Sequence, residues 1–268
     1  MEQKRYRPST INSYISYLIQ FFCRSKKEWQ VLTEKDIHEY NYHYFIQQGL
    51  SYSSQNQWIN AVKGFCRIVR PELELRDELL RPKRGKRIPK VLSRKKVKTL
   101  LSAPMNIKHR ALLCLVYSSG LRIGEALSLK LEDIDSTRML IHIRSGNGNK
   151  DRMVPLSKMA LKVLRRYWRA YRPKQHLFEG RNGGLYSNSS ARQVFKRALC
   201  QAGIEGQYRL HDLRHAYATH LLEAGCDLRY IQEILGHASP KTTMIYTHVS
   251  RQRLASIRSP LDDMKFEE

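Results

Sequence analysis

Within LHDLRHAYATHLLEAGCDLRYIQEILGHASPKTTMIYTHV, residues 210–249, four side chains have the types and order suited to phosphodiester chemistry: His211, Arg214, His237 and Tyr246. His211 and Arg214 are three apart, so a helix projects both from one face. His237 follows Gly236, where the missing side chain lets the backbone come close to a ligand, and Tyr246 comes nine residues later. A phenol attacks phosphorus only if its developing charge is managed and the phosphate is made electrophilic. Arginines meet the second need by charge-assisted bonds to the non-bridging oxygens of a pentavalent transition state. An imidazole takes the phenol proton or donates to an oxygen, and a cation such as lysine protonates the departing 5′ oxygen. The phosphotyrosine retains the bond energy, so no metal and no nucleotide cofactor is expected.

The rest of the chain must position these groups and hold their substrate. At 268 residues it is long enough for one large domain or two ordinary ones, with a proper core. Apolar runs such as residues 111–117 are far too short to span a bilayer, and MEQKRYRPST lacks the apolar stretch of a signal peptide. No membrane partner is expected, and the natural setting is cytoplasmic, associated with the nucleoid. The five cysteines (Cys23, Cys66, Cys114, Cys200, Cys226) never form CxxC and read as small core hydrophobes in a reducing compartment. Charge is more informative. Lys and Arg number 48 against 24 Asp and Glu, a net +24, which implies a polyanionic partner, nucleic acid foremost, bound in a salt-sensitive way. A ribosomal or membrane-surface protein is the bland alternative, and it needs no internal chemistry.

Apolar periodicity predicts a first helix capped by Ser9 or Thr10, a second opened by Thr33 with Asp36, and a third opened at residues 51–54. The polar face of the third carries Gln55, Asn56 and Lys63, side-chain types that bond to bases and phosphates. Such a face is otherwise merely solvated. Residues 81–90, RPKRGKRIPK, set Lys83, Arg84, Lys86 and Arg87 between prolines, the signature of a linker and of a strap that tracks phosphates. Beyond it Ser93 caps another helix, and an apolar, central helix over residues 109–118 is broken by Gly120. Arg122 follows at a helix junction, either paired with a carboxylate such as Glu125 or aimed at an anion. Residues 133–156 predict a β-hairpin around Gly146-Asn147-Gly148-Asn149, with Lys150 and Arg152 placed to reach a phosphate or groove edge. Helices resume over residues 157–171 and 189–203, then through the opening stretch, with an amphipathic piece over residues 254–261.

Four motifs now stand in order: Gly120-Leu121-Arg122, His211-Asp212-Leu213-Arg214-His215, Leu235-Gly236-His237 and Tyr246-Thr247-His248. Together they resemble the tyrosine site-specific recombinases, or phage-type integrases, and the 23-residue and nine-residue gaps around His237 are similar to the bacterial Xer subgroup. The resemblance implies a mainly α, two-domain protein: a helical, SAM-like core-binding domain over residues 1–80, a basic linker over 81–91, and a mostly helical catalytic domain over 92–268. That last domain would hold a small antiparallel β-sheet and a C-terminal tail from about residue 250. It implies that Arg122 and Arg214 clamp the scissile phosphate, His211 assists as base, His237 bonds a phosphate oxygen and Tyr246 attacks. It further implies a 3′-phosphotyrosyl intermediate, strand exchange through a Holliday junction, and double-stranded DNA with paired recognition half-sites as partner. The assembly would be a dimer per site and a tetramer in the synapse, with a related recombinase or accessory protein as a further partner. The chain begins close to its first core helix, so no separate arm-binding domain is expected ahead of it.

One position departs from the family pattern. The hairpin turn there usually reads G-K-G-x-K, and its first lysine is taken as the general acid, whereas this chain has Asn147. Asparagine has no proton to give at neutral pH. Lys150 substitutes through a shifted turn, or the protein is slow, or the sequence was altered to trap a DNA complex. The alternative function is thus a catalytically weakened relative that binds and shapes DNA. The pair His211 and His215 lacks the glutamate of HExxH, and His215 and His220 read as structural.

Overall fold

The computed structural model describes residues 6, 8–73, 91–144, 151–181, 183–237 and 239–246. The chain divides into two compact units, residues 1–86 and 87–268. It is mainly α-helical, and a three-stranded antiparallel sheet lies in the second unit. The expected linker cations Lys83, Arg84, Lys86 and Arg87, the turn with Asn147 and Lys150, and the tail beyond residue 246 lie outside the described residues.

In the first unit α1 (Pro8–Ser25) packs against α3 (Tyr52–Val69), with α2 (Glu34–Tyr40) continuing into a π-helical turn, Asn41–Ile46. Helix α1 begins at Pro8, whose fixed φ suits a first helical position, so Ser9 and Thr10 fall inside its first turn and not at its cap. Thr33 and Asp36 form the expected capping box, and Lys27 donates to Asp36 at 2.5 Å. Ser51 caps α3. Phe21, Ile37, Phe45, Trp58, Ile59 and Val62 make the core. Phe21 meets Tyr40 and Trp58 edge-on, with ring centroids 4.8 and 5.7 Å apart.

In the second unit α5 (Ile107–Ser119) is the central helix, buried at Ala111, Leu112, Leu113, Leu115 and Val116. Apolar residues on every side of it allow α4 (Arg94–Ser102), α7 (Lys158–Tyr171), α8 (Asn188–Gln201) and α9 (His211–Glu223) to close round it. Gly120 ends α5 in the left-handed region at φ 60°, and α6 (Ile123–Ser128) starts at once. Strands β1 (Ile134–Asp135), β2 (Leu140–Ile143) and β3 (Arg152–Pro155) form the sheet in that order, with Ile141 opposite Val154. The hairpin of β2 and β3 is the expected one, and β1 adds a third strand. Two short helices follow α9, α10 (Leu228–Leu235) and α11 (Pro240–Met244). No helix among the described residues is long and apolar enough to cross a membrane.

The cysteines depart from the expectation of a uniform core role. Cys66 is buried and Cys114 and Cys226 are half-buried, but Cys23 and Cys200 are exposed. Cys23 comes directly after Phe21 and Phe22, and the helical turn of roughly 100° per residue carries it off their apolar face.

Trp58 is fully buried, and its indole N–H has no acceptor among the described residues. Trp58→Ala should destabilise the first unit by about 3–5 kcal/mol, measured as the shift of a urea transition followed by circular dichroism. Trp58→Phe, which also deletes the unpaired donor, should cost clearly less.

Candidate active site

Glu125 is the centre of the site. It is the third residue of α6, so its carboxylate turns back to accept the Arg122 backbone N–H at 2.9 Å, closing the helix N-terminus. The same carboxylate accepts Arg122 Nη1 at 2.9 Å and both terminal nitrogens of Arg152 at 3.0 and 2.8 Å, and Arg214 Nη1 lies 3.9 Å away. Burial works against its charge, but the Arg152 and Arg122 hydrogen bonds hold its carboxyl below the usual glutamate value. Three guanidinium groups thus meet one carboxylate. Two positive charges are left uncompensated at a poorly hydrated point, an arrangement that suits an anion.

Backbone carbonyls complete the arginine positions. Arg214 donates from Nη1 to Gly120 at 2.7 Å and from Nη2 to Leu235 at 2.6 Å. Arg122 donates to Leu235 at 3.2 Å and more weakly to Gly236 at 3.4 Å, and Arg152 Nε to Ile234 at 2.9 Å. Arg214 is 1% exposed, and its Nε has no partner among the described residues. Burial, and then the Arg122 charge, push its guanidinium down to about 10. A buried donor without an acceptor is costly, and a phosphate oxygen would satisfy it.

The helix ends explain why these carbonyls are available. Gly120 and Gly236 both take φ 60°, ending α5 and α10 with carbonyls that no further helical turn consumes. A Cβ at Gly120 would meet Tyr217 at 2.5 Å, and one at Gly236 would meet Arg152 at 3.1 Å. The close approach expected of a ligand at Gly236 is made here by the Arg152 side chain.

Tyr246, 1% exposed, lies among Tyr217, Ala218, Leu222, Ile231 and Leu235. Burial raises its phenol pKa, and the fields of Arg214 and Arg122 offset part of that rise, so the hydroxyl senses the arginine pair. Its ring stacks parallel to His237 at 6.4 Å, and His237 Nδ1 pairs with Thr243 Oγ1 at 2.9 Å. His211 stands edge-on against His215 with ring centroids 4.6 Å apart. Burial and the arginines push His237 down to about 4, and burial, His215 and the arginines push His211 down to about 4. The hydrogen-bond partner of Tyr246 is His215, whose Nδ1 is 3.0 Å from the phenol oxygen. His215 was expected to be structural. Its spacing from His211, four residues on one helix face, was the available signal.

Two of the residues expected to contact DNA are engaged inside the protein. Arg152 has an 11% exposed side chain clamped on Glu125, so it builds the site and does not reach outward. Gln55 is buried, and its amide donates to Asn41 Oδ1 at 3.0 Å. A buried amide needs an internal partner, and this one lies on the preceding helical turn. Asn56 is half-buried and lines a cavity of about 130 Å³ with Tyr52, Ser53, Gln57 and Asn60. Lys63, half-buried, is about two turns beyond Asn56 along α3.

Residues 90–253 match the phage integrase family, and residues 1–71 match the phage integrase N-terminal SAM-like domain. The chain is 36% identical to the tyrosine recombinase XerC of Alcanivorax borkumensis, over 95% of this chain and 88% of that protein. Among solved structures it resembles XerA recombinase (32% identity, TM-score 0.58, 95% and 92% of the two chains). It also resembles XerH recombinase bound to a palindromic difH substrate after cleavage (26% identity, TM-score 0.77, 92% and 79%).

Replacing Glu125 tests the hub. Glu125→Gln should cost about 3–5 kcal/mol, because it leaves buried guanidinium groups unpaired. A carboxyl held below its ordinary value contributes stability that is complete above that value and lost as pH falls through the folded one. Wild-type melting temperature should therefore drop below about pH 4.3 by a component that the variant lacks, read by scanning calorimetry across that range.

Proposed function

The chain belongs to the phage integrase family of tyrosine recombinases, and from that premise we propose how its own residues perform the reaction. It is an enzyme of site-specific recombination, cleaving and rejoining DNA. Tyr246 is the nucleophile, attacking one strand at a time to leave a 3′-phosphotyrosyl link and a free 5′ hydroxyl. Arg122 and Arg214 grip the non-bridging oxygens, the latter through the Nε that has no partner among the described residues. His237 donates to a phosphate oxygen, and His211 flanks the same anion. The observation that carries this reading is the surplus of arginine charge around Glu125 acting directly on the Tyr246 phenol.

The wider scheme is the family's. Residues 1–80 act as the core-binding domain, 81–91 as a basic linker using Lys83, Arg84, Lys86 and Arg87, and 92–268 as the catalytic domain. Asn56 and Lys63 face DNA from α3. The target is a two-fold site of paired half-sites, as the palindromic substrate of XerH supports. A dimer binds each site and a tetramer forms the synapse, with strands passing through a Holliday junction and the protein associated with the nucleoid. Lys150 supplies the proton to the leaving 5′ oxygen in place of Asn147.

A suicide substrate, nicked beside the cleavage point so that the 5′ fragment escapes, tests the nucleophile. Wild type should accumulate a covalent protein–DNA adduct on a denaturing gel, and Tyr246→Phe none. An adduct that persists in Tyr246→Phe removes Tyr246 from its role. In the same assay Lys150→Ala should slow adduct formation by about 10²–10⁴-fold. Unchanged cleavage in that variant, together with faster cleavage in Asn147→Lys, would return the acid to position 147.

A further inference from the structure

The hydroxyl of Tyr246 makes its hydrogen bond to His215 Nδ1, 3.0 Å away, and the rings lie 5.6 Å apart between centroids. A phenol carries one proton, and no other acceptor among the described residues bonds to this one. If Nδ1 held the ring proton and donated instead, the phenol proton would be buried with no acceptor, at the cost of an unmade hydrogen bond. With the phenol as donor, Nδ1 accepts and the ring proton resides on Nε2.

We propose that His215 is the catalytic base of this enzyme, taking the Tyr246 proton directly as the phenol oxygen attacks phosphorus, and that His211 serves the phosphate instead. The step balances. The Tyr246 O–H bond breaks with its proton passing to His215 Nδ1, a phosphorus–oxygen bond forms to Tyr246, and the bond to the 5′ oxygen breaks as that oxygen takes a proton from Lys150, the general acid of the proposed reaction. In rejoining, the 5′ hydroxyl gives its proton back to that acid as it attacks the phosphotyrosine, and His215 returns its proton to the phenol. Nothing is oxidised or reduced.

The surroundings suit a base at this position. Burial lowers the imidazole pKa of His215, with Asp212 opposing and Arg214 assisting that shift, so the ring is neutral and able to accept at neutral pH. The titratable and charged groups facing it are His211, Asp212 and Arg214 from its own helix, and Tyr246 and His237 from the segments packed against it. Arg214 also faces the phenol, so the phenolate being formed is stabilised while its proton leaves. His211 lacks such a contact. Its ring meets that of His215 edge to face, and it feels the charges of Arg214 and Arg122.

Asparagine separates a base from a mere prop, because its Oδ1 can accept the phenol hydrogen bond but cannot hold a proton. On the suicide substrate, with saturating full-length protein, His215→Asn should bind DNA as wild type does and form adduct about 10²–10⁴-fold more slowly at pH 7. Its rate should then climb with pH as hydroxide takes over deprotonation, where the wild-type rate is level. Cleavage by His215→Asn within about threefold of wild type overturns the proposal, and so does a slow rate that stays flat with pH. If this variant fails to fold, ¹⁵N resonances of the His215 ring decide. Nδ1 unprotonated in wild type and shifted in Tyr246→Phe supports the proposal, whereas a protonated Nδ1 in both overturns it. The inference rests on Tyr246 as nucleophile. Wild type that forms no Tyr246-dependent adduct overturns both readings, while such an adduct formed equally well by His215→Asn overturns this one alone.

Discussion

The ion cluster on Glu125 is the constraint around which the catalytic unit is arranged. One carboxylate, fixed by its place in the first turn of α6, takes direct hydrogen bonds from Arg122 and Arg152 and lies 3.9 Å from Arg214. Those arginines come from the α5–α6 junction, from β3 and from α9, elements separated by up to ninety-two positions in the chain. Desolvating three guanidinium groups without an anion would be prohibitive, and desolvating them with a matching number of carboxylates would leave nothing for a substrate. One carboxylate is the compromise. It holds the arginines in place and leaves a charge deficit that a phosphate can fill. The fold and the phosphate clamp are therefore the same set of contacts.

The nucleophile is treated in a similar way. Tyr246 is as buried as any core residue, packed on Ile231 and Leu235 of α10, yet its hydroxyl end meets a histidine and the arginine field. Burial alone would make the phenol harder to ionise. The nearby positive charges work in the other direction, and the neutral imidazole gives the proton somewhere to go. Tyr246 thus combines an apolar body, which fixes its position, with a polar tip, which carries the chemistry.

Much of this was legible in the sequence, and the parts that were not share a cause. Helix starts at Thr33, Ser51 and Ser93 could be read because capping involves residues two or three apart. The helices and the β2–β3 hairpin followed from periodicity, and the two-domain division from the basic, proline-bounded linker and the family resemblance. Strand β1 was missed because two residues, Ile134–Asp135, are too few to show an alternating pattern. Gln55 and Arg152 looked like outward-facing DNA contacts because residue type says nothing about a distant partner, and their partners Asn41 and Glu125 lie fourteen and twenty-seven positions away. His215 was set aside for the same reason, since Tyr246 is thirty-one positions further on. Motif and spacing identified which residues matter; only tertiary structure could divide the labour among them.

The arginines of the site rest on the carbonyls of Gly120, Ile234, Leu235 and Gly236. Every amino acid presents the same carbonyl, so these supports depend on the path of the main chain and not on side-chain identity. Ile234 and Leu235 can change over evolutionary time as long as their packing is kept, whereas the two glycines are held by left-handed bends that crowd any side chain, against Tyr217 at Gly120 and against Arg152 at Gly236. Divergent copies of this gene should therefore retain the shape of the clamp long after the residues supplying its carbonyls have drifted.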